Sequence, residues 1–351
     1  MQVKKVIISI MKVMQNTDLR LYSTMRLGGR ADFSAVISNK NDLVEAVNFA
    51  KDNKLEIVII GKGSNVIWKD EGFSGLLLIN EINWIEEETH PDGWLFTVGS
   101  GYNWNDLVMH TVKKGLTGIE ALALIPGTVG ATPIQNVGAY GQEVSNTIVN
   151  IEAYDLKEDK FVNISNRESE FGYRTSRFKT KDKKRFIICS VSFKLTSERP
   201  NVPLYPSVQN YFDDHKITDI NPKTISSAVI EIRTSKLPNP NIVANNGSFF
   251  SNPIISQEHF INLQKQFEDI VYWQTENGQY KLSAAWLIDH AGFTNYYDKE
   301  TGMATWPKQS LVLINKHAKT TADLLKFKDK ITKKVYEFFK INLEQEPELL
   351  P

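Results

Sequence analysis

A single cysteine, Cys189, stands among 351 residues. No disulfide can form within the chain, and the apolar setting RFIICSVSFKL marks that thiol as a buried strand residue rather than a reactive one. Excess charge is missing too. Lys+Arg and Asp+Glu number 41 each, which leaves no polybasic surface for nucleic acid and no acidic tail, and points to small molecules as partners. The six histidines, His90, His110, His215, His259, His290 and His317, have no HExxH or paired spacing, so no metal site is expected. No apolar stretch approaches the roughly 18 residues that cross a bilayer, so no membrane partner is expected. The opening MQVKKVIISIMKVM has an apolar run only from Val6 to Met11. That is shorter than the roughly 7–15 residues of a secretory core region, and no small-residue cleavage site follows. A cytoplasmic protein is expected, with Met11 and Met14 as alternative starts.

What is present fits a folded chain of more than one part. Hydrophobic residues make up 41% and charged residues 23%, and the length exceeds what one core usually holds. NDLVEAVNFAKDNK sets Leu43, Val44, Val47 and Ala50 at helical spacing, and EIVIIGKGSNV follows as a strand ending in a glycine turn. GLLLIN and WLFTVGSGYNW read as strands, and WNDLVMHTVKKG reads as a helix stopped at Gly115. TIVNIEAYDLKEDKFVNI predicts a β-hairpin and RFIICSVSFKL a further strand. The polar, proline-bearing stretch 196–223 marks a domain boundary. Beyond it, KTISSAVIEIRTSK, ISQEHFINLQKQF and YKLSAAWLIDHAGF predict helices, and QSLVLIN a buried strand. The last helix opens on Thr320 and Asp323, spaced as a capping box, and carries the stripe Leu324, Ile331, Val335 and Phe338. The fold class is α+β in two parts.

Two glycine-rich segments carry the chemistry. IIGKGSNV places Gly61, Gly63, Ser64 and Asn65 after a strand. Glycines there admit close approach of backbone N–H groups to a phosphate, with Ser and Asn as extra donors. The dinucleotide fingerprint is not satisfied, because its third glycine falls on Val66. IPGTVGATPIQNVGAYGQEV, residues 125–144, tolerates neither helix nor strand. It is too apolar for disorder and lacks Lys and Arg, so a pyrophosphate held there is held by backbone donors, which suits a flavin. FGYRTSRFK supplies Arg174, RTSKLPNP supplies Arg233 and Lys236, and LEQEPELLP supplies Glu344, Glu346 and Glu348. In NNGSFFSNP, Phe250 stands where a nucleophile elbow needs glycine, and no His–Asp pair accompanies Ser248. Two readings of that hydroxyl remain: a proton donor in an aromatic setting, or a satisfied core serine.

These segments, in this order, resemble UDP-N-acetylenolpyruvoylglucosamine reductases, the MurB family of flavoenzymes. GKGSN, PGTVGATPIQNVGAYGQEV, FGYR, RTSKLP, NGSFFSNP and AAWLID are all similar to the family, from about residue 16 to 346. The resemblance implies an FAD-binding domain of the vanillyl-alcohol oxidase / p-cresol methylhydroxylase type over 16–205, with two α+β subdomains split near residue 75. It also implies a substrate-binding α+β domain over 206–351 and an extension over 1–15. It implies noncovalent FAD, NADPH as hydride donor, and reduction of UDP-N-acetylglucosamine enolpyruvate to UDP-N-acetylmuramate by a monomer. Hydride passes from reduced flavin to C3, and a proton from Ser248 to C2. Carried over residue by residue, Arg174, Ser248 and Glu346 are catalytic. Gly61, Gly63, Ser64, Asn65, Gly127, Ile134, Asn136, Gly138 and Tyr140 face the cofactor. Tyr205, in the insertion of the longer type, and Lys236, Asn252 and Gln309 face the substrate.

Three departures stand out. Ala131 replaces a serine common in relatives, so a backbone N–H is expected to serve there. The segment 291–309 lacks the family's Gly-Trp-Lys-Gly run, leaving Lys299 and Lys308 both as candidates for the substrate diphosphate. The tail LEQEPELLP leaves Glu348 as an alternative to Glu346. Other activities for such a chain are an FAD-dependent sugar or alcohol oxidase, or a silent nucleotide-sugar binder.

Overall fold

The computed structural model describes residues 11–91, 93–202, 204–275 and 277–351; most of the opening run Val6 to Met11 lies outside them. Contacts divide the chain into two compact units. The first comprises Met1–Thr17, Ala31–Lys62 and Ser74–Arg233, and the second Asp18–Arg30, Gly63–Phe73 and Thr234–Pro351.

A four-stranded sheet runs in the order Val13–Asp18, Arg30–Ile37, Phe73–Asn80, Glu56–Ile60, and its last two strands are parallel, with Val58 opposite Leu77. The crossover between Arg30–Ile37 and Glu56–Ile60 is the helix Lys40–Asp52. Asn39 caps it by accepting from the N–H groups of Asn41 and Asp42. Leu43, Ala46, Val47 and Ala50 bury against Ala35, Leu76 and Leu78. Phe73–Asn80 belongs to this sheet, and the next sheet takes up the chain at Ile85–His90.

In the same unit, an antiparallel sheet orders Lys160–Ser165, Ile148–Asp155, Phe186–Leu195, Gly93–Gly99 and Ile85–His90. Against it lies the helix Trp104–Lys113, which buries Trp104, Leu107, Val108 and Val112. Each such side chain contributes roughly 1.5–3 kcal/mol of hydrophobic stabilisation. The polar stretch after residue 196 does not part the units. It contains a helix, Pro206–Asp214, and a second follows at Pro222–Lys236. Val208, Phe212, Ile225, Ala228, Val229 and Ile232 all join the first unit's core. The expected boundary at 205/206 therefore does not coincide with the break in packing, which comes after Arg233.

The second unit is assembled from three separated stretches. Ala244–Ser248, Gln309–Asn315 and Met303–Trp306 form one antiparallel sheet, and Ile254–Ile255, Tyr280–Leu282 and Tyr272–Gln274 another. Glu348–Leu350 pairs in parallel with Val66–Trp68. The helix Thr321–Phe339 has the expected capping box at Thr320 and Asp323. Asp70 adds a second cap, accepting from the N–H of Thr321 at 2.7 Å and of Ala322 at 2.9 Å. Leu324, Phe327, Ile331, Val335 and Phe339 face a core shared with Met25, Leu27, Ile67 and Phe249; Phe338, expected in that stripe, is exposed. YKLSAAWLIDHAGF is not one helix. Tyr280–Leu282 is a strand, and Ser283 then caps a short helix Ala284–Ile288 by accepting from the Trp286 N–H. A π turn over Asp289–Phe293, with Gly292 at φ +91°, ends it.

Candidate active site

In the second unit, the strand Ala244–Ser248 leads into the NNGSFFSNP stretch. Asn245 Oδ1 accepts from the Gly247 N–H at 2.8 Å, an Asx turn. Gly247 has φ +71°, and no atom lies within 4 Å of where its Cβ would be, so the backbone requires glycine while the space beside it stays open. Ser248 pairs with Val312 and is exposed. Phe249 and Phe250 are fully buried, with ring centroids 5.2 Å apart and edge to face. Ser248 thus stands at the surface immediately before two buried rings, and the core-serine reading does not hold.

The C-terminal tail lies against this stretch. The Glu346 N–H donates to Phe249 O at 2.9 Å and the Ser251 N–H to Glu344 O at 3.0 Å. Two residues on, the Glu348 N–H donates to Asn65 O at 2.9 Å, and Asn65 Nδ2 donates to Glu346 O at 3.4 Å. The tail therefore joins the first glycine turn to the Ser248 stretch. Glu346 is bonded next to Ser248, whereas Glu348 enters the strand opposite Val66. Gly63 has φ +67°, and a Cβ there would fall 2.2 Å from Tyr22 O. Asn246 was missed by sequence reasoning, although an asparagine two residues before a catalytic candidate was a readable signal.

Gly61 belongs to the first unit, and a Cβ on it would lie 2.3 Å from Thr128 Oγ1. The end of strand Glu56–Ile60 thus touches the 125–144 segment with no side chain between. That segment holds a 3₁₀ turn at Val129–Ala131 and a small hairpin, Gly138–Ala139 with Gln142–Glu143. Gly127, at φ +133°, accepts at its carbonyl from the Trp104 N–H at 3.2 Å. Ile134 O accepts from Ser176 Oγ at 2.6 Å. Asn136 is buried and ties the end of the segment to its neighbours. Its Nδ2 donates to Glu143 Oε2 at 2.7 Å and Gly172 O at 3.1 Å, and its Oδ1 accepts from the Ser145 N–H at 3.1 Å.

Arg174 comes to this same segment. It is half-buried, has φ +53°, and donates from Nη2 to Gly138 O at 2.5 Å. A Cβ on Gly138 would lie 2.8 Å from Glu143 Cγ and 2.9 Å from Gln142 O, with Arg174 Nη1 next at 3.0 Å, so the turn of the small hairpin leaves no room for a side chain there. Tyr140, at φ +48°, meets Tyr205 edge to face at 5.8 Å. Burial pushes the Tyr140 hydroxyl up, with Arg233 opposing, so the group stays protonated at neutral pH. Arg174, Asn136, Gly138, Tyr140 and Tyr205 lie in the first unit, and Ser248, Glu346, Gly63, Ser64 and Asn65 in the second.

Of the remaining substrate candidates, Lys236 ends a helix with its side chain exposed, and its carbonyl accepts from Trp306 Nε1 at 3.0 Å. Asn252 Oδ1 accepts from the Ala284 N–H at 2.9 Å, so its oxygen is committed to that turn. Gln309 opens the strand Gln309–Asn315 and is partly exposed. Lys299 and Lys308 are both exposed. Segment 291–309 is tied by Thr305 Oγ1, which donates to Phe293 O at 2.6 Å, and by Asp298, which accepts from Lys330 Nζ at 2.8 Å. Among the described residues no cluster of His, Cys, Asp or Glu could hold a metal, and no helix is long and apolar enough to cross a membrane.

A flavin dinucleotide fits these residues. Where Gly61, Gly130 and Gly138 stand, any side chain would collide with Thr128, Ser100 or Glu143, so backbone rather than side chains shapes the cradle. The 125–144 segment carries no cation, and its N–H groups suit a pyrophosphate. No His or Cys lies in it to form a covalent flavin link.

Fold and site define an FAD-binding flavoprotein of α+β architecture, and residues 31–164 match the family model described as FAD binding domain. Residues 239–350 match the model for the UDP-N-acetylenolpyruvoylglucosamine reductase C-terminal domain. The chain is 38% identical to the UDP-N-acetylenolpyruvoylglucosamine reductase of Cupriavidus pinatubonensis, over 95% of this chain and 97% of that one. It is 35% identical to the Escherichia coli K12 reductase, over 94% and 95%. The crystal structure of the Thermus caldophilus reductase, at 22% identity, shares the fold with a TM-score of 0.67 over 97% of this chain and all of that one. The chain belongs to the UDP-N-acetylenolpyruvoylglucosamine reductase family.

Proposed function

We propose that this protein reduces UDP-N-acetylglucosamine enolpyruvate to UDP-N-acetylmuramate for peptidoglycan precursor synthesis, with FAD as cofactor and NADPH as reductant. Alongside family membership, one observation carries the assignment of roles. An exposed serine and the tail glutamate are held on one backbone frame, through the Glu346 N–H to Phe249 O bond of 2.9 Å. That bond favours Glu346 over Glu348.

Bound flavin supplies the hydride chemistry. The chain's own residues manage charge and the proton. Addition of hydride to the enolpyruvyl group drives negative charge toward its carboxylate. Arg174, preset by its backbone and its bond to Gly138 O, and Glu346 as a hydrogen-bond donor, stabilise that charge; one such donor is worth about 10²–10³ in rate. Ser248 then gives its proton to C2. Its exposure lets water restore that proton, and the open space at Gly247 leaves room for the substrate. Gly61, Gly63, Ser64, Asn65, Gly127, Ile134, Asn136, Gly138 and Tyr140 hold the cofactor. Tyr205, Lys236, Asn252 and Gln309 hold the nucleotide sugar.

The enzyme acts as a monomer in the cytoplasm, which light scattering and cell fractionation test. The activity itself is tested by NADPH oxidation that depends on UDP-N-acetylglucosamine enolpyruvate. NADPH consumption indifferent to that substrate, or flavin reduction by a sugar or alcohol without NADPH, would replace the reading by that of an oxidase.

A further inference from the structure

Asn246 sits two residues before Ser248 with only 6% of its surface exposed. Its Nδ2 donates to Thr24 Oγ1 at 3.1 Å, Ser64 O at 3.2 Å and Val66 O at 3.3 Å. Its Oδ1 is buried without a hydrogen-bond partner among the described residues. Turning the amide over would put that oxygen against two carbonyls, so the orientation is fixed by its surroundings. A sealed, unsatisfied acceptor costs stability, and the fold keeps it for the sake of the opposite end of the amide. That end closes a ring. From the Ser248 stretch the ring runs through Phe249 O and the Glu346 N–H to the tail, then through the Glu348 N–H to Asn65 O. From the Ser64–Val66 turn it returns to the starting strand through Asn246. Thr24 belongs to the same circuit, since its N–H donates to Gly63 O at 3.0 Å and its carbonyl accepts from the Asn245 N–H at 3.1 Å.

We infer that Asn246 is a positioning residue that holds the Gly63–Asn65 turn in register with Ser248 and Glu346, so that the cofactor turn and the proton donor are set by one amide. The inference rests on the cofactor and catalytic roles proposed above. Nδ2 carries a side-chain link from the Ser248 strand to the turn, at Ser64 O and Val66 O. Its loss removes one bond from Ser64 O and one from Val66 O, which keeps its bond from Ser23 Oγ at 2.8 Å, and lets turn and strand shift independently.

The test uses full-length enzyme saturated with FAD and compares Asn246→Ala and Asn246→Asp with the unaltered chain. Three quantities are read: FAD affinity by flavin fluorescence, the rate of flavin reduction by NADPH, and the rate of reoxidation by UDP-N-acetylglucosamine enolpyruvate. Loss of about one net hydrogen bond predicts FAD binding and reoxidation each weaker by about tenfold in Asn246→Ala, with reduction by NADPH nearly unchanged. Asn246→Asp, which opposes a carboxylate to two carbonyls, is affected more. A merely structural residue would lower the melting temperature while leaving both half-reactions of the saturated enzyme at their original rates, and that result overturns the inference, as does equal loss of both. Should neither variant fold, Thr24→Ala, which removes one acceptor of the same amide, must show the same pattern more weakly. If the unaltered enzyme binds no flavin or ignores the substrate, the functional reading fails rather than the role of Asn246.

Discussion

Replacing Ser248 by alanine separates two magnitudes that the structure sets far apart. Ser248 is exposed, and the buried rings that follow it, Phe249 and Phe250, are untouched by the change. The stability cost is therefore that of an ordinary surface substitution, under about 0.5 kcal/mol, or a melting shift of less than about 2 °C. Phe249→Ala, by contrast, empties a fully buried site and costs about 3–5 kcal/mol. If the hydroxyl delivers the proton to C2, its removal slows that step by about 10²–10⁴, or about 2.7–5.4 kcal/mol of barrier. The catalytic loss thus exceeds the stability loss at least about fivefold in free energy. Stopped-flow absorbance reads the two half-reactions separately. Bleaching of the flavin band by NADPH should proceed at nearly the original rate, and its return on adding the enolpyruvyl substrate should be slowed by the factor above. Equal slowing of both half-reactions, or loss of bound flavin, would refute the proton-donor assignment.

Gly61→Ala drives a Cβ to 2.3 Å from Thr128 Oγ1 and is expected to lower flavin content on purification; adding Thr128→Ala should restore part of it. Asp70→Ala removes the second cap of the helix Thr321–Phe339 and should lower stability by about 1–2 kcal/mol, read from urea midpoints. The Arg185 guanidinium, bonded to both oxygens of Asp155, holds that carboxyl below the usual range. A lowered folded value means the stabilisation is complete above the unfolded value of about 3.9 and is lost as pH falls through the folded one. The urea midpoint should therefore drop between pH 5 and 3, and less steeply in Arg185→Gln. Burial pushes the Cys189 thiol up to about 12, so thiol reagents at pH 8 should label the protein only after unfolding.

Local periodicity made most of the regular elements legible. The stripe in Lys40–Asp52, the capping box at Thr320 and the hairpin Ile148–Ser165 each involve residues near in sequence, where pattern and geometry share one period. The helix Pro206–Asp214 carried the same kind of signal, Pro at its first position with Val208, Tyr211 and Phe212 on one face. Neighbouring prolines and polar residues outweighed it, and with it went the position of the unit boundary. In YKLSAAWLIDHAGF the evenly apolar run hid a change from strand to helix, which Ser283 as a cap could have revealed. The pairing of Glu348–Leu350 with Val66–Trp68 had no readable sign, because three residues set no period and the partners are far apart in sequence. The site was legible in its residue types but not in its exposure. Two phenylalanines beside Ser248 suggested burial, and only the backbone shows that both turn into the core while the serine does not.

The second unit is a neighbourhood in space and not a parcel of the gene. Its core closes only when Met25, Leu27 and Ile67 meet side chains from Phe249 onward, and its turn at Asn65 awaits the N–H of Glu348. During synthesis, the early stretches must leave the ribosome and remain without their partners until the tail has been translated. Contacts of such separation fold slowly, so the assembly of Ser248, Glu346 and the glycine turn is among the last events of maturation. A chain cut short before Glu346 would keep every residue of the first unit while its second lacked both Glu346 and the strand Glu348–Leu350.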